Sequence, residues 1–173
     1  MSNLIIMRHA KSDWSGNEPD FNRKLNKRGV LSCKIISENL KNKIIIPDLF
    51  IVSPAIRATL THKKIFSVYY KNNYLTKITI FEKKLYEGSL IEIIQSLDKK
   101  CKGYKNVVVI GHNPLLNNLI YSLSEKNHKK LPSNLVTCGT VIIKYPETIF
   151  NSNGFKNGEI VDYIFPKQFI ESY

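Results

Sequence analysis

The sequence predicts an α/β sandwich built on a mostly parallel sheet. Three observations carry this reading: short apolar runs of strand length recur along the chain, longer amphipathic stretches separate them, and the junctions carry helix-starting residues. One domain spanning 1–173 is expected, because this length suits a single core and 43% of the residues are hydrophobic.

The first apolar run is residues 4–7, a buried strand. Residues 26–41 follow as a helix with Leu31, Ile35, Ile36 and Leu40 on its apolar side, and Asn26 is placed to cap it. Leu49–Val52 is the second strand. Ser53 and Pro54 then suit the start of a helix through Ile56, Leu60 and Ile65. A strand at 77–81 comes next, and Ser89 stands three residues before Glu92, the spacing of a capping box for a helix through Ile93, Ile94 and Leu97. Residues 106–110 form a third buried strand, and Pro114 opens a helix through Leu116, Leu119, Ile120 and Leu123. At the end, Thr140–Tyr145 and residues 159–165 read as paired strands with Asn153 and Gly154 among the turn residues between them.

Ligands of such sheets collect at the carboxyl ends of the strands. The residues just past each apolar run are Arg8 and His9, then Ser53 with Arg57 one helical turn on, then Gly111 and His112. Two histidines and two arginines thus converge on one sheet edge. A phosphate needs this assortment: guanidinium forks for its oxygens, helix N-termini offering N–H groups, and an imidazole free to attack phosphorus.

The formal charge is +12, which alone would point to a polyanion. All but four of the 26 basic residues are lysines scattered along the chain, a poor footprint for a nucleic-acid stripe. The four arginines are Arg8, Arg23, Arg28 and Arg57. Against that lysine background, a retained arginine suggests a place needing a bidentate fork. Cys33, Cys101 and Cys138 form no C-x-x-C pair, which argues against a disulfide framework or zinc cluster and for a reducing, cytoplasmic setting. No apolar run reaches membrane-spanning length, and the early Arg8 and His9 do not suit a signal peptide.

These residues also carry a resemblance. The stretch LIIMRHAKSDW is similar to the R-H-G signature of the histidine phosphatase superfamily, VSPAIRATLT to its S-P-x-x-R-A-x-x-T segment, and VVVIGHNP to its second-histidine segment. The form R-H-A-K-S-x-W and the segment FNRKLNKRG most resemble the phosphohistidine phosphatase branch. The resemblance implies a three-layer sandwich like that of phosphoglycerate mutase, with no metal and no cofactor. It makes His9 the nucleophile that forms a covalent phosphohistidine, Arg8 and Arg57 the clamp on the phosphoryl oxygens, and His112 a further ligand of that group. Ser53 is expected to bind substrate. Arg23, ahead of an L-x-x-x-G pattern, is placed near the pocket by the same resemblance, while Arg28 reads as helix surface.

Glu87, in the loop LYEGS, is the expected general acid, with Glu82 and Asp13 as substitutes. Ala10 stands where the superfamily has glycine, which is tolerable where φ is negative. His62 and His128 read as surface residues, Trp14 as packing or pocket mouth, and Tyr69, Tyr70 and Tyr74 as packing at a helix end. The implied substrate is a phosphorylated histidine protein such as a phosphorelay domain. A hydrolase of small phosphate esters is the enzymatic alternative, and a basic polyanion-binding module with a relic pocket is the alternative from another class. A mutase is disfavoured because the chain is short and lacks elements that would enclose a sugar acid.

Overall fold

A computed structural model describes residues 1–70, 78–125, 131–146, 155 and 157–172. The strands are β1 (Ser2–Arg8), β2 (Leu49–Val52), β3 (Thr79–Phe81), β4 (Asn106–Gly111), β5 (Thr140–Tyr145) and β6 (Glu159–Ile164). The helices are α1 (Lys27–Asn42), α2 (Ile56–Tyr69), the single turn α3 (Lys84–Glu87), α4 (Leu90–Lys100) and α5 (Leu115–Leu123), with 3-10 turns at Asp20–Asn22 and Pro166–Ser172.

The strands form a sheet in the order β3-β2-β4-β1-β5-β6. The pairings β2·β3, β2·β4 and β1·β4 are parallel, and β1·β5 and β5·β6 are antiparallel. Side chains alternate across this sheet with a period of two. Leu4 and Ile6 face one apolar cluster with Ile93, Leu97, Leu116 and Leu119 of α4 and α5; Ile5 and Met7 face the other with Cys33, Ile36, Leu40, Ile65 and Phe66 of α1 and α2. Helices therefore cover both faces, the three-layer sandwich the sequence implied.

Local chemistry sets the element boundaries. Asn26 caps α1 by accepting from Gly29 N–H, and Ser89 and Glu92 form the reciprocal capping box of α4. Gly29 has a packing role, because a Cβ there would collide with the backbone carbonyl oxygen of Lys11. Asn26 N–H donates to that same carbonyl at 3.1 Å, and Ser12 bridges to Leu25, so the segment ahead of α1 is pinned to the loop after β1.

Two expectations about burial need correction. Leu31 is exposed, since the inward face of α1 runs through Gly29, Cys33, Ile36 and Leu40, and a residue two positions from Cys33 lies about 200° around the helix. His62 is fully buried and not on the surface: it shares the inward face of α2 with Ala58, Ile65 and Phe66, and its ring packs edge-on against Phe50 at 4.8 Å. Burial pushes its imidazole down to about 4. Tyr69 and Tyr70 are half-buried at the end of α2. Lys77, Tyr74, His128, Asn153 and Gly154 lie outside the described residues, and β3 begins at Thr79.

Candidate active site

The sheet order puts β2, β4 and β1 side by side, so their carboxyl ends are neighbours. His9 N–H donates to Gly111 O at 3.0 Å and Ser53 N–H to Ile110 O at 2.9 Å, which continues the ladder one residue past each strand. His9, Ser53 and His112 are thereby held on one edge, and Arg57 enters from the first turn of α2.

His9 is 7% exposed. Its Nδ1 lies 2.8 Å from Ala10 O. A carbonyl only accepts, so Nδ1 carries the proton and Nε2 keeps its lone pair. That Nε2 accepts from Arg57 Nε at 3.2 Å. Burial comes first among the forces holding the imidazole at about 4, and Arg57 and Arg8 add to it against the opposing pull of the Ala10 hydrogen bond and Asp20. The ring is neutral at any ordinary pH.

His112 lies beside it, ring centroids 4.9 Å apart. Its Nε2 is 2.8 Å from Ser53 Oγ, which itself accepts from Ala55 N–H at 3.4 Å. The serine oxygen keeps a second lone pair, so the contact forms in either sense: the hydroxyl donates to Nε2 when the imidazole proton sits on Nδ1, and accepts from Nε2–H when it does not. Burial, then His9 and Arg57, lower this imidazole to about 3.

Three buried nitrogens here have no hydrogen-bond partner among the described residues: Arg8 Nε, Arg23 Nε and His112 Nδ1. Arg8 is otherwise anchored by donating Nη1 to Leu135 O at 2.6 Å, and burial followed by Arg57 lowers its guanidinium below its ordinary value. Buried donors left unpaired are costly, so a cluster of them beside an imidazole lone pair suits an anion.

The loop between β1 and α1 supplies residues that the motif reading missed. Asp20 accepts from Arg57 twice, at its backbone oxygen from Nη1 at 2.6 Å and at Oδ2 from Nη2 at 2.9 Å. Arg23 Nη2 pairs with Oδ1 of the same carboxylate. Tyr86 donates its hydroxyl to Oδ2 at 3.0 Å and sets its ring edge-on to His112 at 5.4 Å. Burial pushes the Asp20 carboxyl up, but the Tyr86 hydrogen bond and both arginines outweigh it and hold the group below its usual range. Thr61 accepts from Ala10 N–H at 2.9 Å and donates to Arg57 O at 2.7 Å, tying the His9 turn to α2. Two signals were available: the i, i+3 spacing of Asp20 and Arg23, and the i, i+4 spacing of Arg57 and Thr61.

The structure thus brings His9, Ser53, Arg57, His112 and, through Asp20, Arg23 into one network. Arg28 is exposed on α1. Ala10 has no positive φ, so the missing glycine imposes no strain. Trp14 is 69% exposed, with the Arg23 guanidinium 3.5 Å from its ring centroid.

Glu87 ends the turn α3 instead of lying in a loop. Its carboxylate is exposed and makes no hydrogen bond to His9, Arg57 or His112. It lines an adjoining surface cavity of about 270 Å³ with Phe21, Pro54, Lys83 and Tyr86. The proposed substitutes are committed elsewhere. Glu82 is buried against Ser96 and Lys100, while Asp13 is exposed and holds Ser15. Among the described residues no cluster of three His, Cys, Asp or Glu side chains could hold a metal ion, and no helix is long and apolar enough to cross a membrane.

No protein-family model matches the sequence, and no curated protein does. Solved structures do match. A proposed phosphohistidine phosphatase, SixA, from Agrobacterium tumefaciens superposes with a TM-score of 0.76 at 23% identity, over 95% of this chain and 99% of that one. The protein histidine phosphatase SixA in complex with tungstate gives 0.79 at 20% identity, over 96% and 99%. A phosphoserine phosphatase from Entamoeba histolytica gives 0.63 at 12% identity, over 94% and 96%. The chain has the fold of these phosphatases.

Proposed function

We propose that this chain is a histidine phosphatase of the phosphohistidine branch, which takes a phosphoryl group from a histidine of a partner protein onto Nε2 of His9 and then yields it to water. What carries the reading is the fixed tautomer of His9: the Ala10 carbonyl holds the proton on Nδ1, so the lone pair on Nε2 points among cationic donors. In the first step the Nε2 lone pair forms the N–P bond while the bond to the leaving nitrogen breaks; its electron pair stays on the substrate ring, which, protonated on its other nitrogen, departs as neutral imidazole. Water then attacks phosphorus and His9 leaves as neutral imidazole once phosphate has formed.

The donors supply most of what this chemistry needs, because phosphoryl transfer depends mainly on positioning and charge stabilisation. Arg57, Arg8 and Arg23 would neutralise the phosphoryl oxygens, and His112, in the tautomer that accepts from Ser53, would donate Nδ1–H to one of them. Glu87 stands apart from this network. A phosphohistidine substrate tolerates that, since imidazole leaves far more readily than an alkoxide. The exposed mouth, where Asp20 and Trp14 reach solvent, supports entry of a side chain projecting from a protein. The fold match to the two SixA proteins supports the same substrate.

Acid-quenched trapping of labelled phosphate on the wild type and on His9→Ala tests the intermediate. Label on the wild type and none on the variant is the expected result. A panel of phosphohistidine proteins, phosphoserine and sugar phosphates tests the substrate, and preference for the small esters would replace that part of the reading.

A further inference from the structure

We propose that Asp20 is a built-in surrogate for the phosphoryl group, a carboxylate that holds the phosphate-binding arginines while the pocket contains no anion and yields them when one enters. The inference rests on the phosphatase reading and assigns Asp20 a role in ligand affinity.

The geometry of the carboxylate carries the argument. Its two oxygens are divided between two guanidiniums, Oδ2 on Arg57 Nη2 and Oδ1 on Arg23 Nη2, as the oxygens of a bound phosphoryl group would be. Tyr86 adds a hydroxyl donor to Oδ2, so the one carboxylate collects three donors from three separate segments. The arginine side chains are only 7% and 11% exposed and cannot turn to water for compensation, whereas the Asp20 side chain is 51% exposed. A buried guanidinium left without its partner is costly. The mobile partner in this arrangement is therefore the carboxylate.

Asp20 is also placed to leave without unfolding its surroundings. It sits on the one-turn 3-10 segment Asp20–Asn22, and its backbone oxygen separately accepts from Arg57 Nη1. Rotation of the side chain alone frees both Nη2 donors while that backbone contact keeps Arg57 in place. Meanwhile Arg57 Nε lies on the His9 lone pair, so the arginine that Asp20 holds also masks the nucleophile. An entering phosphoryl group would take over the two Nη2 donors that the carboxylate releases.

A surrogate and a supporting post predict opposite results. If Asp20 competes with phosphate, its neutralisation strengthens phosphate binding; if it only positions the arginines, its loss weakens binding. Titration calorimetry with inorganic phosphate on the wild type, Asp20→Asn and Asp20→Ala separates them. The expected result is a Kd lower by roughly fivefold in both variants, the scale of an exposed ion pair removed from competition, with a larger phosphate-induced rise in Tm than in the wild type. Should Asp20→Ala fail to fold, Asp20→Asn retains an acceptor oxygen for Arg57 and decides the matter alone. Equal or weaker phosphate binding by a folded variant, with the wild type still binding, overturns the surrogate and leaves the phosphatase reading standing. Failure of the wild type itself to bind phosphate overturns both.

Discussion

Arg57 and His9 meet at the carboxyl edge of the sheet and set the chemistry of the site. Arg57 donates through Nε, Nη1 and Nη2 at once, to His9 and Asp20, and lysine offers no planar fork to reproduce that. Arg57→Ala and Arg57→Lys are both expected to lower kcat/KM by a factor on the order of a hundred or more, the scale of a lost charge-stabilising donor, measured on a phosphohistidine protein. Circular dichroism should show both variants folded. The His9 imidazole is neutral down to about 4, so the proposed nucleophile persists as pH falls from 8 to 5 and is lost only below that. The acid limb of kcat/KM assigned to the free enzyme should accordingly lie near 4; a midpoint near 6.5 would mean that His9 is not the desolvated group described. His9, Arg8, Ser53, Arg57 and His112 were legible in the sequence because apolar runs fix where strands end, and the end of a strand fixes its neighbours. Asp20 and Tyr86 were not: the spacing of Asp20 and Arg23 is a local signal, but nothing local shows that Asp20 meets Arg57 and Tyr86 from a separate segment. Glu87 illustrates the converse: the sequence placed it near the right edge, but one turn of helix carries its carboxylate out of the hydrogen-bonded network.

At the scale of elements, the site depends on α1 lying tight against the loop after β1. Gly29 allows that approach, and Ala there would push its methyl into the Lys11 carbonyl. Gly29→Ala should cost about 1–3 kcal/mol in urea denaturation, and because that loop carries Ser12 into its bridge with Leu25, the variant should also lose activity. The capping box of α4 provides the contrast. Ser89→Ala should cost about 1 kcal/mol in the same assay and leave kcat unchanged, since the hydrogen bonds of Ser89 all go to Glu92 of the same helix. Nearly all of these elements could be read from the sequence, because buried parallel strands are continuous apolar runs and caps are short local signals. The errors fell where tertiary packing chooses the face. Leu31 looked inward by composition alone, and His62 looked outward for the same reason, until α2 is seen packing it on Phe50.

For the molecule as a whole, the three described histidines make stability depend on pH in one direction. His9, His62 and His112 are held down to about 4, 4 and 3, each primarily by burial. In the unfolded chain the same rings take up protons near 6.5. Below that value the unfolded state binds more protons than the folded one, so the stability is complete above pH 6.5 and falls as pH drops toward 4. Each ring contributes about 2 kcal/mol of loss between pH 7.5 and pH 5, a total that is a large part of an ordinary domain's 5–15 kcal/mol. Urea melts in phosphate-free buffer at the two pH values should show a drop of about 4–6 kcal/mol. His62→Gln, which retains a polar partner for Thr79, should remove about a third of that drop without touching the proposed phosphoryl site, because His62 is buried on the inward face of α2 against Phe50 and its ring bonds Thr79. A stability that stays level from pH 7.5 to 5 would show that these imidazoles are hydrated in solution, and the dry pocket on which the proposed attack by a neutral His9 depends would be lost with them.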